Sequence, residues 1–365
     1  MSSPTSMQYV RLGQSGLKVS KIILGCMTYG SPEWLKWVLG KEEGIAHINA
    51  AYDAGINAFD TANVYSNGLS EIILGEAIKK HNLPRDKIVV LTKVYGVVGN
   101  EPSSQLFGDP KSDSVGYVNQ HGLSRKHIFD SVKHSLERLQ LDYIDVLQCH
   151  RFDYDTPISE TMKALHDVVQ AGYVRYIGMS SCYAYQFHAM QNYAIQNNLT
   201  PFISMQNHYN LIYREEEREM FPTLKIFGVG SIPWSPLGRG KLARPFAKEG
   251  DTKRGETDPA MSRYKGNEAA EAIITRVEEL AKKKGLTMAQ LSIAWILSKE
   301  GVTAPIVGTT SIDNLKELIG EILSLDEDGK VMNGFLSEAT KVELTPEDVK
   351  FLEEEYRPVV ISGHS

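Results

Sequence analysis

Residues 57–93 read NAFDTANVYSNGLSEIILGEAIKKHNLPRDKIVVLTK. Asn57–Phe59 is a short apolar run, Glu71–Lys79 spaces its apolar residues by three and four, and Ile88–Thr92 is a second, β-branched run. The changes of period describe a strand, a helix and a strand. Strands that alternate with helical crossovers and read as near-continuous apolar runs belong to a parallel sheet covered by helices.

The same rhythm extends in both directions. Further strand-like runs are Ile22–Leu24, Ile144–Leu147, Val174–Met179, Phe202–Met205, Val229–Ile232 and Ala304–Val307, and helical spacing recurs at His47–Ala54, Ser124–Leu139, Ser159–Gln170, Tyr185–Ile195 and Glu215–Ile226. Eight units of the α/β class predict a closed (β/α)8 barrel, because closure leaves no strand edge unpaired. An open doubly wound sheet would carry Gly-Xaa-Gly-Xaa-Xaa-Gly after its first strand, and Gly25-Cys26-Met27-Thr28-Tyr29-Gly30 does not match. The expected organisation is one barrel domain over residues 1–365. A hairpin (residues 8–20) around Gly13-Gln14-Ser15-Gly16 would plug the floor, long loops at 96–123 and 235–266 would follow strands three and seven, and a C-terminal extension would fill 323–365. In that extension Thr345-Pro346-Glu347 supplies an N-cap and a first-turn proline for one more helix. Loops of this length are more often functional lids than idle connectors.

Composition narrows the class. The 365 residues hold 39 Lys+Arg against 45 Asp+Glu, a net charge of −6 with no basic block, which argues against nucleic acid as a partner. Cys26, Cys149 and Cys182 are odd in number and far apart, so neither a disulfide framework nor a Cys-Xaa-Xaa-Cys pair is present. Residues 1–8 are polar and no apolar run approaches membrane-spanning length. These features predict a cytoplasmic protein in a reducing compartment, with no membrane partner; they leave the oligomeric state open.

In such a barrel, chemistry gathers where the strands end at their C-terminal face. The strands deliver in turn Met27-Thr28-Tyr29, Asp60, Lys93, His150, Ser180-Ser181, Gln206, Trp234-Ser235 and Gly308-Thr309-Thr310. Taken singly, each has an ordinary structural job. Together, a carboxylate, an ammonium and an imidazole converging on one mouth are costly to bury unless they are used.

The spelling of residues 59–75 closely resembles the signature of the aldo-keto reductase family, with Asp60 and Tyr65 five residues apart and Gly68-Leu69-Ser70-Glu71-Ile72-Ile73-Leu74-Gly75 following. Leu91-Thr92-Lys93, Leu147-Gln148-Cys149-His150-Arg151, Gly178-Met179-Ser180-Ser181, Trp234-Ser235-Pro236-Leu237-Gly238-Arg239-Gly240 and Pro305-Ile306-Val307-Gly308-Thr309 extend the likeness in order, over residues 9–322. Trp34-Leu35-Lys36-Trp37 and Gly240–Pro245 look most like the fungal and bacterial members that reduce aryl and ketide-like carbonyls.

The resemblance implies Asp60, Tyr65, Lys93 and His150 as catalytic residues of an NAD(P)H-dependent carbonyl reductase. Hydride delivered to a carbonyl carbon leaves an alkoxide that needs a proton, and the Tyr65 phenol would donate it. The Lys93 ammonium is expected to stabilise the tyrosinate and lower the phenol's pKa. Asp60 would hold Lys93, and His150 would polarise the carbonyl oxygen. No side chain supplies hydride, so a cofactor is required. The resemblance implies NADPH, with NADH as the alternative, held by Gly25, Met27, Asp60, Ser180, Ser181, Gln206, Trp234, Ser235, Leu237, Arg239, Lys241, Gly308, Thr310 and Asn314. Two departures stand out: Ser181 replaces a common Asn, and the segment Gly308–Asn314 lacks the Lys or Arg that often grips the 2′-phosphate. Thr309, Thr310, Ser311 and the helix beginning near Ile312 would take that anion.

Tyr29 and Trp34 are expected to line the substrate pocket, together with Tyr95, Arg151 and Cys182. Their aromatic character favours a small-molecule aldehyde or ketone with an apolar or aromatic body. Two rival readings remain. One is a cofactor-binding regulatory or redox-sensing subunit with slow turnover. The other is a metal-dependent hydrolase using Asp60 and His150, which the lack of a His-Xaa-His pair disfavours; no metal is expected.

Overall fold

Eight parallel strands form a ring with helices outside it. The computed structural model describes residues 7–109, 111–248, 252–319, 324–325, 331–332 and 339–364. An antiparallel hairpin of β1 (Tyr9–Arg11) and β2 (Lys18–Ser20) comes first. The ring then consists of β3 (Ile23–Gly25), β4 (Ala58–Asp60), β5 (Val89–Val94), β6 (Ile144–Cys149), β7 (Val174–Ser180), β8 (Phe202–Gln206), β9 (Gly230–Ser231) and β10 (Ile306–Val307). Each strand from β3 to β9 pairs with its neighbour, and β10 pairs with β3. Closure between β9 and β10 rests on backbone bonds around them: Ile306 N donates to Pro233 O at 2.8 Å and Thr303 N to Ser231 O at 2.7 Å.

The hairpin is the floor. Leu12 and Val19 pack on Ile23, Ala58, Leu91, Val146, Ile232 and Ile306 inside the ring. Gly13 makes the turn at φ +59°, where an added Cβ would meet Gly228 O at 2.6 Å, so the chain needs glycine there. The larger core lies between the strands and α1 (Lys41–Asp53), α2 (Leu69–Lys80), α3 (Arg125–Leu139), α4 (Ile158–Gln170), α5 (Ala184–Gln196), α6 (Met220–Phe227), α8 (Ala270–Lys284), α9 (Met288–Ser298), α10 (Ile312–Ile319) and α11 (Pro346–Glu353), while the short α7 (Lys253–Thr257) lies outside it.

Several boundaries differ from the sequence reading. α1 begins at Lys41 rather than near His47, because the Glu43 carboxylate accepts from Gly40 N at 3.2 Å and caps the earlier turn. The expected helix over 215–226 splits into a tight turn at Glu215–Glu217 and α6. α8 and α9 were not anticipated; Leu291, Ile293, Trp295 and Ile296 of α9 are all buried, so no polar face marks its period. Residues 235–266 are not one structureless loop but carry helical turns at Gly238–Ala243 and Pro259–Tyr264 with α7 between them. α11 starts at the expected cap, where Thr345 Oγ accepts from Asp348 N at 3.2 Å. Of the extension 323–365, residues 323, 326–330, 333–338 and 365 lie outside the described residues, while Ser324–Leu325 and Val331–Met332 pair antiparallel. No helix of the described residues is long and apolar enough to cross a membrane.

Candidate active site

The strand ends bring a buried ion pair to the centre of the mouth. Asp60 ends β4 and Lys93 lies in β5, and Lys93 Nζ donates to Asp60 Oδ2 at 2.6 Å and to Thr61 O at 2.8 Å. The other carboxylate oxygen accepts from Gln148 Nε2 at 2.9 Å and Gln206 Nε2 at 2.8 Å. Lys93 is fully buried and Asp60 nearly so. Such a pair is tolerable only with its remaining lone pairs satisfied, which is what the two glutamines do. They also occupy Asp60 fully, leaving it poorly placed as a metal ligand. Gln148, which sequence reasoning quoted without assigning a role, is signalled only by facing inward two residues before His150.

Tyr65 reaches this pair from outside the strands. Its turn, Tyr65–Gly68, holds Ser66 and Asn67 at positive φ (47° and 51°). Ser66 Oγ accepts from Ser31 N at 3.1 Å. Asn67 Nδ2 donates to the carbonyls of Glu101, Pro102 and Ser104 at 3.0, 3.1 and 3.0 Å, and its Oδ1 accepts from Gly99 N at 2.9 Å. The strained turn is thereby paired into the 96–123 loop, which seats Tyr65 and folds over the mouth. Asn67 is a second residue the sequence reading missed. Lys93 Nζ lies 3.3 Å from the Tyr65 hydroxyl, and the His150 ring meets Tyr65 edge-on with centroids 5.8 Å apart.

Burial pushes the Tyr65 phenol above its ordinary pKa and outweighs the lowering by Lys93. The expectation of a lowered phenol is therefore corrected: the hydroxyl keeps its proton at neutral pH. Burial also opposes charge on Lys93, but Asp60 and Tyr65 together hold its pKa above the usual lysine value. His150 is driven well below the ordinary imidazole range by burial, then by the nearby charges of Arg151 and Lys93. It is neutral, and its Nδ1 is buried without a partner among the described residues.

A cavity of about 530 Å³ opens from Tyr65 and His150. Gly25, Met27, Asp60, Ser180, Gln206, Trp234, Ser235, Leu237, Arg239, Gly308, Thr310 and Asn314 line it, as does Trp34, 6.1 Å from the Tyr65 ring. Five expected wall residues are elsewhere. Tyr29 is fully buried, because the turn Cys26–Thr28 directs it onto α1, where its hydroxyl meets His47 Nδ1 at 3.4 Å and it fills the space above Gly44. Tyr95 packs against Phe107, which does line the cavity, and Cys182 is buried beneath the surface. Ser181 is turned away at φ 43° to accept from Trp234 Nε1 at 3.0 Å. Lys241 also lies off the wall, 6.0 Å over the Tyr264 ring.

The wall fits a dinucleotide. One face of Trp234 is covered by the His208 ring at 4.2 Å, and His208 stacks in turn on Tyr213 at 4.1 Å, which fixes the indole as a flat platform. Arg239, Arg244, Lys253, Arg254 and Arg263 from the 235–266 segment also line the cavity. Asp258 pairs with Arg239 at 2.5 Å and with Arg254 at 3.1 Å, so this cluster carries surplus positive charge. Arg239 Nε is buried with no partner among the described residues, as a donor awaiting an anion would be. Arg254 lies 4.0 Å over the Trp37 ring and ties the segment to the loop after β3. Arg239 was expected from the resemblance; Arg244, Lys253, Arg254 and Arg263 lie far along the chain from Gly308–Asn314, so adjacency in sequence could not reveal them.

Burial, then repulsion from Arg263 and Arg239, also drives His208 well below the ordinary imidazole value. Both depressed histidines stay neutral in the folded chain while the unfolded chain protonates near pH 6.5, so stability present above that pH is lost as pH falls. We expect unfolding free energy to drop by about 2–3 kcal/mol between pH 7.5 and 5.5. Urea midpoints at the two pH values check this, and an unchanged midpoint contradicts neutral burial of the pair.

Comparison with known proteins agrees with this architecture. A model of the aldo/keto reductase family matches residues 21–329. Versiconal hemiacetal acetate reductase of Aspergillus parasiticus is 50% identical over 97% of this chain and 98% of its own length. An aldo-keto reductase of Metarhizium robertsii is 45% identical over 100% of this chain and 95% of its own. A Schizosaccharomyces pombe protein provisionally named an aryl-alcohol dehydrogenase is 47% identical over 100% of this chain and 99% of its own.

Proposed function

The chain belongs to the aldo/keto reductase family, and from that premise we propose that it reduces aryl or ketide-like aldehydes and ketones to alcohols with NADPH, using Tyr65 as the proton donor. It is an oxidoreductase of small carbonyl compounds by family. The finer reading is carried by one observation: a protonated phenol 3.3 Å from a buried ammonium, at the end of a cavity that also holds a neutral imidazole.

A bound NADPH supplies the hydride. Trp234, with the Arg263 guanidinium 5.5 Å from its ring centroid, offers an indole surface for the nicotinamide, and Arg239 with its neighbouring cations binds phosphate. The neutral His150 donates a hydrogen bond to the carbonyl oxygen, where negative charge grows as the carbon is reduced. Tyr65 passes its proton to that oxygen. The tyrosinate is left beside Lys93, whose charge Asp60 holds in place, so the attraction grows as the proton leaves.

The test is multiple-turnover oxidation of NADPH with 4-nitrobenzaldehyde. Many turnovers per chain are expected, and a single slow turnover would instead support the sensor reading. Because Arg244, Lys253 and Arg254 enlarge the positive field around the cavity, the Michaelis constant for NADPH is expected to lie at least about 10-fold below that for NADH. Equal constants, or a preference for NADH, overturn the NADPH assignment.

A further inference from the structure

Beyond adding its charge to the burial that keeps His150 neutral, Arg151 has no role in the chemistry above, yet it is a buried cation in the cavity wall. It is 8% exposed and lines the cavity directly after His150. Among the described residues no carboxylate lies within ion-pair distance of it, whereas Arg239 and Arg254 share Asp258. Its one hydrogen bond among the described residues is to the His150 carbonyl at 2.5 Å, and its Nε is buried without a partner there. A buried guanidinium left this way is strongly unfavourable unless a ligand completes it. Burial and the repulsion of Arg263 pull its pKa down only to about 10, so it remains a cation at neutral pH.

The surroundings say which ligand. The guanidinium carbon is 5.5 Å from the centroid of Phe107, and Phe107 packs 5.0 Å from the His150 ring. Trp34, Tyr65, Phe107 and His150 thus form an aromatic compartment with Arg151 at its edge. The phosphates of the cofactor already have the cations of the 235–266 segment.

Resting on the reading of the chain as a carbonyl reductase, we propose that Arg151 is the specificity-determining residue of the substrate pocket and selects aryl carbonyl compounds bearing an anionic group such as a carboxylate. The aromatic body occupies the compartment, the carbonyl oxygen meets Tyr65 and His150, and the anion pairs with the Arg151 fork.

The test uses a matched pair, 4-formylbenzoate and its methyl ester, with wild type, R151Q and R151K. Wild type is expected to favour the carboxylate by at least about 10-fold in kcat/KM, chiefly through KM; R151Q should lose about 100-fold on the carboxylate and at most about 3-fold on the ester, with R151K between them. Benzoate binding followed by calorimetry should weaken in parallel, and NADPH binding should not. Equal handling of the pair by wild type overturns the proposal, as does an equal loss on both substrates in R151Q. A loss of NADPH binding of about 10-fold or more in R151Q would also overturn it by assigning the guanidinium to the cofactor. If R151Q does not fold, the wild-type preference decides. If neither aldehyde is reduced but R151Q still abolishes benzoate binding, the anion site stands and the reductase reading falls.

Discussion

Replacing Tyr65 with phenylalanine is expected to lower kcat for aldehyde reduction by about 10³-fold while leaving the NADPH dissociation constant within about 3-fold. The substitution removes one hydroxyl and little else. The ring keeps its edge-on contact with His150 and its packing against Trp34, and the Ser66 and Asn67 hydrogen bonds that seat the turn do not involve the hydroxyl. What is lost is the group whose proton must reach the substrate oxygen. Burial raises its pKa, so the proton is in place throughout the neutral range. The rate of reduction should accordingly stay level across neutral pH and fall only at alkaline pH, above the range in which an ordinary tyrosine ionises. No acid limb near pH 6.5 is expected, because His150 stays neutral. Retention of more than about a tenth of wild-type kcat by Y65F would assign proton donation elsewhere, since a positioned acid contributes at least 10²-fold.

The contrast between what the sequence disclosed and what it hid is physical. β5 and β6 were readable because strands buried on both faces must be continuously apolar, and they carry Lys93 and Gln148 at their mouth ends. Asp60 and His150 followed from strand position. α9 escaped because it is buried on every side, so the amphipathic stripe that betrays a helix is absent. Tyr29 misled for a related reason: being next to a strand end does not fix direction, and one tight turn sends it to His47. Of the cations lining the cavity, Arg239 was named from the resemblance, but Arg244, Lys253, Arg254 and Arg263 were not, because they converge from a segment whose helical turns, with Arg239 and Gly240 at positive φ, leave no period to read. Arg151 was legible as a neighbour of His150, but its lack of a partner is a property of the folded cavity alone.

Removing the ammonium of Lys93 should damage stability and catalysis together, and a second substitution separates them. In Lys93→Met the Asp60 carboxylate stays buried with only the amides of Gln148 and Gln206 to solvate it. Stranding one member of a buried ion pair costs about 3–5 kcal/mol, so the urea midpoint should fall well below wild type. The rate should fall by about 10²–10³-fold, because the tyrosinate now forms without its neighbouring cation. D60N/K93M neutralises both partners and can still hydrogen-bond the glutamines, so stability should return most of the way to wild type. The rate should not return. Recovery of activity in the double variant would mean that Lys93 serves only to balance Asp60, and the 3.3 Å approach to Tyr65 would then be a packing contact with no part in moving the proton.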